Sequence, residues 1–202
     1  MNSMFNPYQL IENFEKEFGG NLSSPTTVLP ATTKYSDWDI YINLNPEKAN
    51  ISLLQKIDEF VKSFSDFDLV RDFATDAEYH SKAYQRTSNL KHIQYMAFLP
   101  KESFAPFVDI HIDGVGKNLM GEFYNSKKGN LSQGYLDWAI LTYWRKIMRG
   151  EGDKLSEWVE RSILPAFDEE DKDQIRANPK DFFKNYFKNR PEFDQASGFL
   201  SS

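Results

Sequence analysis

The chain has 202 residues, 40% hydrophobic and 15% aromatic, with 17 Phe, 10 Tyr and 4 Trp, which suits a sizeable core and excludes a disordered chain. A net charge of −6 argues against a surface that coats nucleic acid broadly. Cysteine is absent, which excludes disulfides, thiolate metal sites and cysteine nucleophiles, and no apolar run approaches the roughly 20 residues of a membrane helix.

In chain order, "MNSMFNPYQLIENFEKEF" lacks the basic region and continuous apolar core of a signal peptide, so a cytoplasmic protein with no membrane association is expected. "PYQLIENFEKEFGG" predicts a helix: Pro7 suits its first turn, Leu10, Ile11, Phe14 and Phe18 form an apolar stripe, and Gly19-Gly20 end it. "NLSSPTTVLPATTKYS" reads as a loop or short irregular strands. "DWDIYINL" alternates, with Trp38, Ile40, Ile42 and Leu44 on one face and Asp37, Asp39, Tyr41 and Asn43 on the other. "NISLLQKIDEFVKSF" predicts a second helix, with Ile51, Leu54, Ile57, Val61 and Phe64 at helical spacing. Phe67 to Phe73, "LKHIQYMAFLP" and "FAPFVDIHIDG" predict three more strands, the last two a hairpin turning at "PKES".

From Gly114 the composition changes. "GVGKNLMGEFYNSKKGN" reads as a Gly- and Lys-containing loop, followed by helices in "LSQGYLDWAILTYWRKIMRG", "DKLSEWVERSILPAF", "EEDKDQIRA" and "PKDFFKNYFKN". The tail "RPEFDQASGFLSS" is expected to be mobile. The fold class is therefore α+β: a small mixed sheet followed by a helical C-terminal part, divided as residues 1–116 and 117–202.

Two strands carry acids along one face. "PFVDIHIDG" sets Asp109, His111 and Asp113 opposite Val108, Ile110 and Ile112. If the two strands are neighbours, about 4.8 Å apart, Asp37, Asp39 and Asp109 converge. Two carboxylates about 4 Å apart repel by roughly 4 kcal/mol at an effective dielectric of 20, which a hard divalent cation removes. Mg²⁺ or Mn²⁺ held there would meet substrate phosphates.

The motif "SDWDIYI" resembles the Ser-Asp-x-Asp signature of the polymerase-β-like nucleotidyltransferase superfamily, with a helix following and a third acid on a later strand in a setting like "FVDIHI". The resemblance covers roughly residues 8 to 113 and implies a nucleotidyltransferase-like sheet topology, with the helical part completing the nucleotide or acceptor site. It implies that Asp37 and Asp39 are paired metal ligands, and that Asp109 binds metal or takes the proton of the acceptor hydroxyl. The family's Gly-Ser pair ahead of the first aspartate has no clean counterpart. Its candidates are "GGNLSS", with Ser23 and Ser24, or "ATT", ending at Thr33. Lys82 and Arg86 in "HSKAYQRTSNLK" are candidate phosphate contacts from another loop.

The expected activity is Mg²⁺-dependent transfer of a nucleoside monophosphate from a nucleoside triphosphate, ATP among them, to a hydroxyl on a small molecule, an RNA end or a protein. A long nucleic acid is the least favoured acceptor. The alternatives are a non-catalytic relative that binds a nucleotide or protein partner and, third, an Asp-x-Asp glycosyltransferase. Other polar residues have plainer readings. His111 is expected to pack on its strand, Asp113 to serve the following turn, and His80 and His92 share no ligand spacing. Arg145, Lys146 and Arg149 suit a helix C-terminus. Lys117, Lys127 and Lys128, and the stripe Lys180, Lys184 and Lys188, are expected in solvent, while Trp138, Ile140, Leu141, Trp144 and Ile147 are expected in a helical core.

Overall fold

A computed structural model describes residues 7–33, 35–63, 68–72, 93–98, 107–126 and 133–193. Helix α1 (Pro7–Phe18) buries the expected stripe of Leu10, Ile11, Phe14 and Phe18. Strands β1 (Thr27–Leu29) and β2 (Asp37–Asn43) follow, then helix α2 (Ile51–Lys62), whose first turn is capped by Asn50 accepting from the Leu53 amide at 2.9 Å. Strands β3 (Asp68–Asp72), β4 (Ile93–Phe98) and β5 (Phe107–Asp113) complete the sheet. The "PKES" turn and Phe64 lie outside the described residues.

The sheet is mixed, in the order β1-β2-β5-β4-β3. Only the central pair, β2 with β5, is parallel among these neighbours. Ile40 and Ile42 of β2, Leu44 just beyond it, and Val108, Ile110 and Ile112 of β5 are buried in one cluster with residues of α1 and α2. Fully burying each such aliphatic side chain contributes about 1.5–3 kcal/mol, which fixes the alternation of both strands. The Phe60 ring of α2 meets Phe14 and Phe18 of α1 edge-on, with centroids 5.7 and 5.5 Å apart. With these helices on the apolar face, the acid face is left for the site.

The stretch expected as a loop after Gly114 instead contains helix α3 (Lys117–Ser126). Gly114 and Gly116, at φ 84° and 73°, turn the chain out of β5, and the helix then buries Met120 and Phe123 in the first core. That burial outweighs the poor helix propensity of Gly121, the feature that makes the segment read as loop. Residues 127–132 lie outside the described set.

The long helix α4 (Gln133–Met148) has the expected position and packs against β3. "DKLSEWVERSILPAF" forms no uniform helix. A 3₁₀ turn at Gly152–Lys154 leads into the short α5 (Leu155–Trp158), a π turn at Val159–Ile163 and a 3₁₀ turn at Leu164–Ala166. Pro165 has no N–H to give the carbonyl of Arg161, so an α ladder cannot run through it. Helices α6 (Glu169–Ala177) and α7 (Pro179–Tyr186) begin at the side-chain caps Asp168 and Asn178. A second core joins Ile140, Leu141 and Trp144 of α4 to Ile163, Ile175, Phe183, Phe187 and Phe193.

The beginning of the expected mobile tail is fixed. Asp137, 4% exposed, accepts a two-pronged pairing from Arg190 and a 3.0 Å bond from the Tyr186 hydroxyl. The Arg190 guanidinium also lies 4.5 Å from the Phe193 ring centroid, and Phe193 is buried. Residues 194–202 lie outside the described set. Among the described residues, no helix is long and apolar enough to cross a membrane.

Candidate metal centre

The parallel register of β2 and β5 places Asp39 directly beside Asp109, and Tyr41 beside His111. The acids therefore share a row because both strands alternate in phase, with the apolar core fixing which face is which. One donor atom from each of Asp39, Asp109 and His111 falls within 4.8 Å of the others. His111 Nε2 stands 3.1 Å from Asp39 Oδ1, and the imidazole lies flat over the Tyr41 ring with centroids 4.7 Å apart and planes 11° apart. This stacking is in keeping with a ring held with Nε2 toward Asp39. Burial, then the negative charges of Asp39, Asp109 and Asp113, push the Tyr41 phenol above its ordinary value, a sign of the negative field on this face.

Asp37 has a different partner. Its Oδ1 accepts from Arg145 Nη2 at 3.0 Å, and the same nitrogen donates to the Ser36 carbonyl at 2.8 Å. The Arg145 side chain is 1% exposed and that of Asp37 33%. Burial lowers the Arg145 pKa, and Asp37 opposes that shift. One turn on, Arg149 donates to the Tyr35 carbonyl at 2.8 Å while Glu151 accepts from both Arg149 and Lys146. Helix α4 thus grips the chain at the entrance to β2. Arg145 and Arg149, expected only to suit a helix C-terminus, are tertiary clamps. No local signal marks this, because the partners are more than a hundred residues away in sequence.

The candidate phosphate residues divide. Thr33 lies at the acid end of β2 in a tight turn: its amide donates to Ser36 Oγ at 2.8 Å, and its hydroxyl accepts from the Tyr35 amide at 3.2 Å. Ser23 and Ser24 lie at the other end. Ser23 donates to the Asn43 carbonyl at 3.3 Å, and Ser24 accepts from the Asn43 side chain at 3.1 Å. Asn43 is four residues beyond Asp39, roughly 13 Å along the strand, so these serines are not brought to the carboxylates. Lys82 and Arg86 lie outside the described residues.

The donor set fits a divalent cation. Asp39 and Asp109 supply hard oxygen donors, as Mg²⁺ or Mn²⁺ prefers, and His111 adds a nitrogen within reach. Asp37 is on the same face, with its charge already met by Arg145. Comparison with protein-family models, with curated proteins and with solved structures finds no match for this chain.

Proposed function

We propose that the chain is a divalent-cation-dependent nucleotidyltransferase with a nucleotidyltransferase-like arrangement of β2, α2 and β5. The observation that carries the reading is the lateral pairing of Asp39 with Asp109 on adjacent parallel strands, since it sets two carboxylates of distant sequence around one point. A bound Mg²⁺ or Mn²⁺ would offset their repulsion and the charge of a triphosphate. In the reaction, the acceptor hydroxyl oxygen bonds to the α-phosphorus, the bond to pyrophosphate breaks, and the hydroxyl proton passes to Asp109 or to solvent. Thr33, at the acid end of β2, is the phosphate contact of choice. Arg145 holds Asp37 in place.

A second reading is favoured by a specific observation. The Arg145–Asp37 pair takes one acid of the motif out of cation binding, as a non-catalytic nucleotide- or protein-binding relative would tolerate. The test is thermal shift with each nucleoside triphosphate, with and without Mg²⁺ or Mn²⁺, followed by pyrophosphate release with candidate hydroxyl acceptors. Cation-dependent stabilisation that disappears in Asp39→Asn, together with pyrophosphate release, supports the transferase. Stabilisation without release over all acceptors favours the binding module, and no shift with any triphosphate refutes the nucleotide site.

A further inference from the structure

We infer that the centre takes one divalent ion rather than two, that His111 gives this ion a nitrogen ligand, and that the Arg145 guanidinium bonded to Asp37 keeps that carboxylate from holding a second. The inference deepens the cation part of the proposed function and rests on it, but not on transfer.

Two observations carry it. Donors about 2.1 Å from one ion and at right angles stand about 3.0 Å apart. His111 Nε2 and Asp39 Oδ1 are 3.1 Å apart, the spacing of two adjacent ligands as much as of a hydrogen bond. One donor from each of the three residues falls within 4.8 Å of the rest, so small side-chain rotations bring them inside the about 4.2 Å limit of an octahedral ion. The second observation concerns Asp37. Arg145 is enclosed in the protein, bonded at once to Asp37 Oδ1 and the Ser36 carbonyl. A guanidinium keeps its charge in a protein, so a dication arriving at Asp37 would meet a fixed positive charge already hydrogen-bonded to its ligand.

Ion preference follows from the nitrogen. Mg²⁺ favours oxygen donors alone, whereas imidazole strengthens binding of Mn²⁺ and the later divalent metals. The full-length chain should bind Mn²⁺ about tenfold or more tightly than Mg²⁺.

The test is calorimetric titration with Mn²⁺ and Mg²⁺ alone, joined to pulsed electron paramagnetic resonance of the Mn²⁺-loaded chain. Expected are one Mn²⁺ per chain and an imidazole nitrogen coupling to that ion. The coupling should vanish in His111→Gln, with Mn²⁺ affinity falling about tenfold toward that of Mg²⁺. The double variant His80→Gln/His92→Gln keeps His111 and should retain the coupling, which assigns it even if His111→Gln folds poorly. Asp37→Asn should still bind one ion. Two Mn²⁺ in the wild type, or one Mn²⁺ with no nitrogen coupling, would overturn the inference while leaving a cation-dependent site standing. No binding of either ion, even with a nucleoside triphosphate present, would remove both.

Discussion

Replacing Asp37 by Asn tests the clamp between the two halves of the chain. The change keeps an oxygen that can accept from Arg145 and removes the charge. Arg145 is 1% exposed, so its guanidinium would lose the charge of Asp37 inside the protein. Removing one partner of a fully buried ion pair costs about 3–5 kcal/mol. Asp37 is 33% exposed, and the Ser36 carbonyl still accepts from Arg145, so the expected loss is smaller, about 2 kcal/mol. For a chain of this size that is about 4–8 °C in melting temperature. Arg145→Met retains most of the bulk and leaves Asp37 to water, so it should cost about 1 kcal/mol. The double variant should then resemble Arg145→Met alone, a coupling of about 2 kcal/mol. Urea unfolding of the four proteins, with unchanged slopes, measures the cycle. If Asp37→Asn proves no costlier than Arg145→Met, or the two losses simply add, the pair does not hold the halves together as argued.

Other consequences can be checked with the same unfolding assay. Asp137→Ala strips Arg190, whose side chain is 27% exposed, and Tyr186 of their shared acceptor and should cost about 2 kcal/mol; under about 0.5 kcal/mol would refute the clamp. Gly114→Ala places a Cβ 2.2 Å from the Leu44 carbonyl oxygen at φ 84°, and should cost more than about 2 kcal/mol. Gly116→Ala, at φ 73° with open space, should cost only about 1 kcal/mol, and equal losses at the two glycines would contradict the packing. For Glu151, burial raises the carboxyl pKa, yet the bonds and charges of Lys146 and Arg149 bring it below 4.5 overall. Its folded pKa is thus the lower one, so its contribution is full above about pH 4.5 and is lost as pH falls through the folded value. The stability gap between wild type and Glu151→Gln should be present at pH 7 and shrink as the solution is acidified below pH 4.5. A gap that persists in acid would refute the assignment.

What the sequence made legible is what alternation encodes. "DWDIYINL" and "FVDIHID" each bury one face, and that period assigned Asp39 and Asp109 to the same side before any pairing was known. The convergence of Asp39 and Asp109 then needed only that the strands be neighbours, as they are. His111 was harder to read, since a strand histidine that packs on a ring and one that reaches a carboxylate have the same spacing; here the residue does both. Arg145 carried no local sign, for a basic residue near a helix C-terminus suits the dipole wherever the helix lies. Its role arises from the docking of α4 near the entrance to β2, a tertiary event. The same holds for α3, where Gly114, Gly116 and Gly121 read as loop until Met120 and Phe123 find a core to enter.

The most direct test of the shared-cation claim is anomalous diffraction from crystals soaked in Mn²⁺. The account predicts a difference peak about 2.2 Å from a carboxylate oxygen of both Asp39 and Asp109. Well-ordered side chains at these two residues with no peak between them, or a peak only elsewhere on the chain, would contradict it.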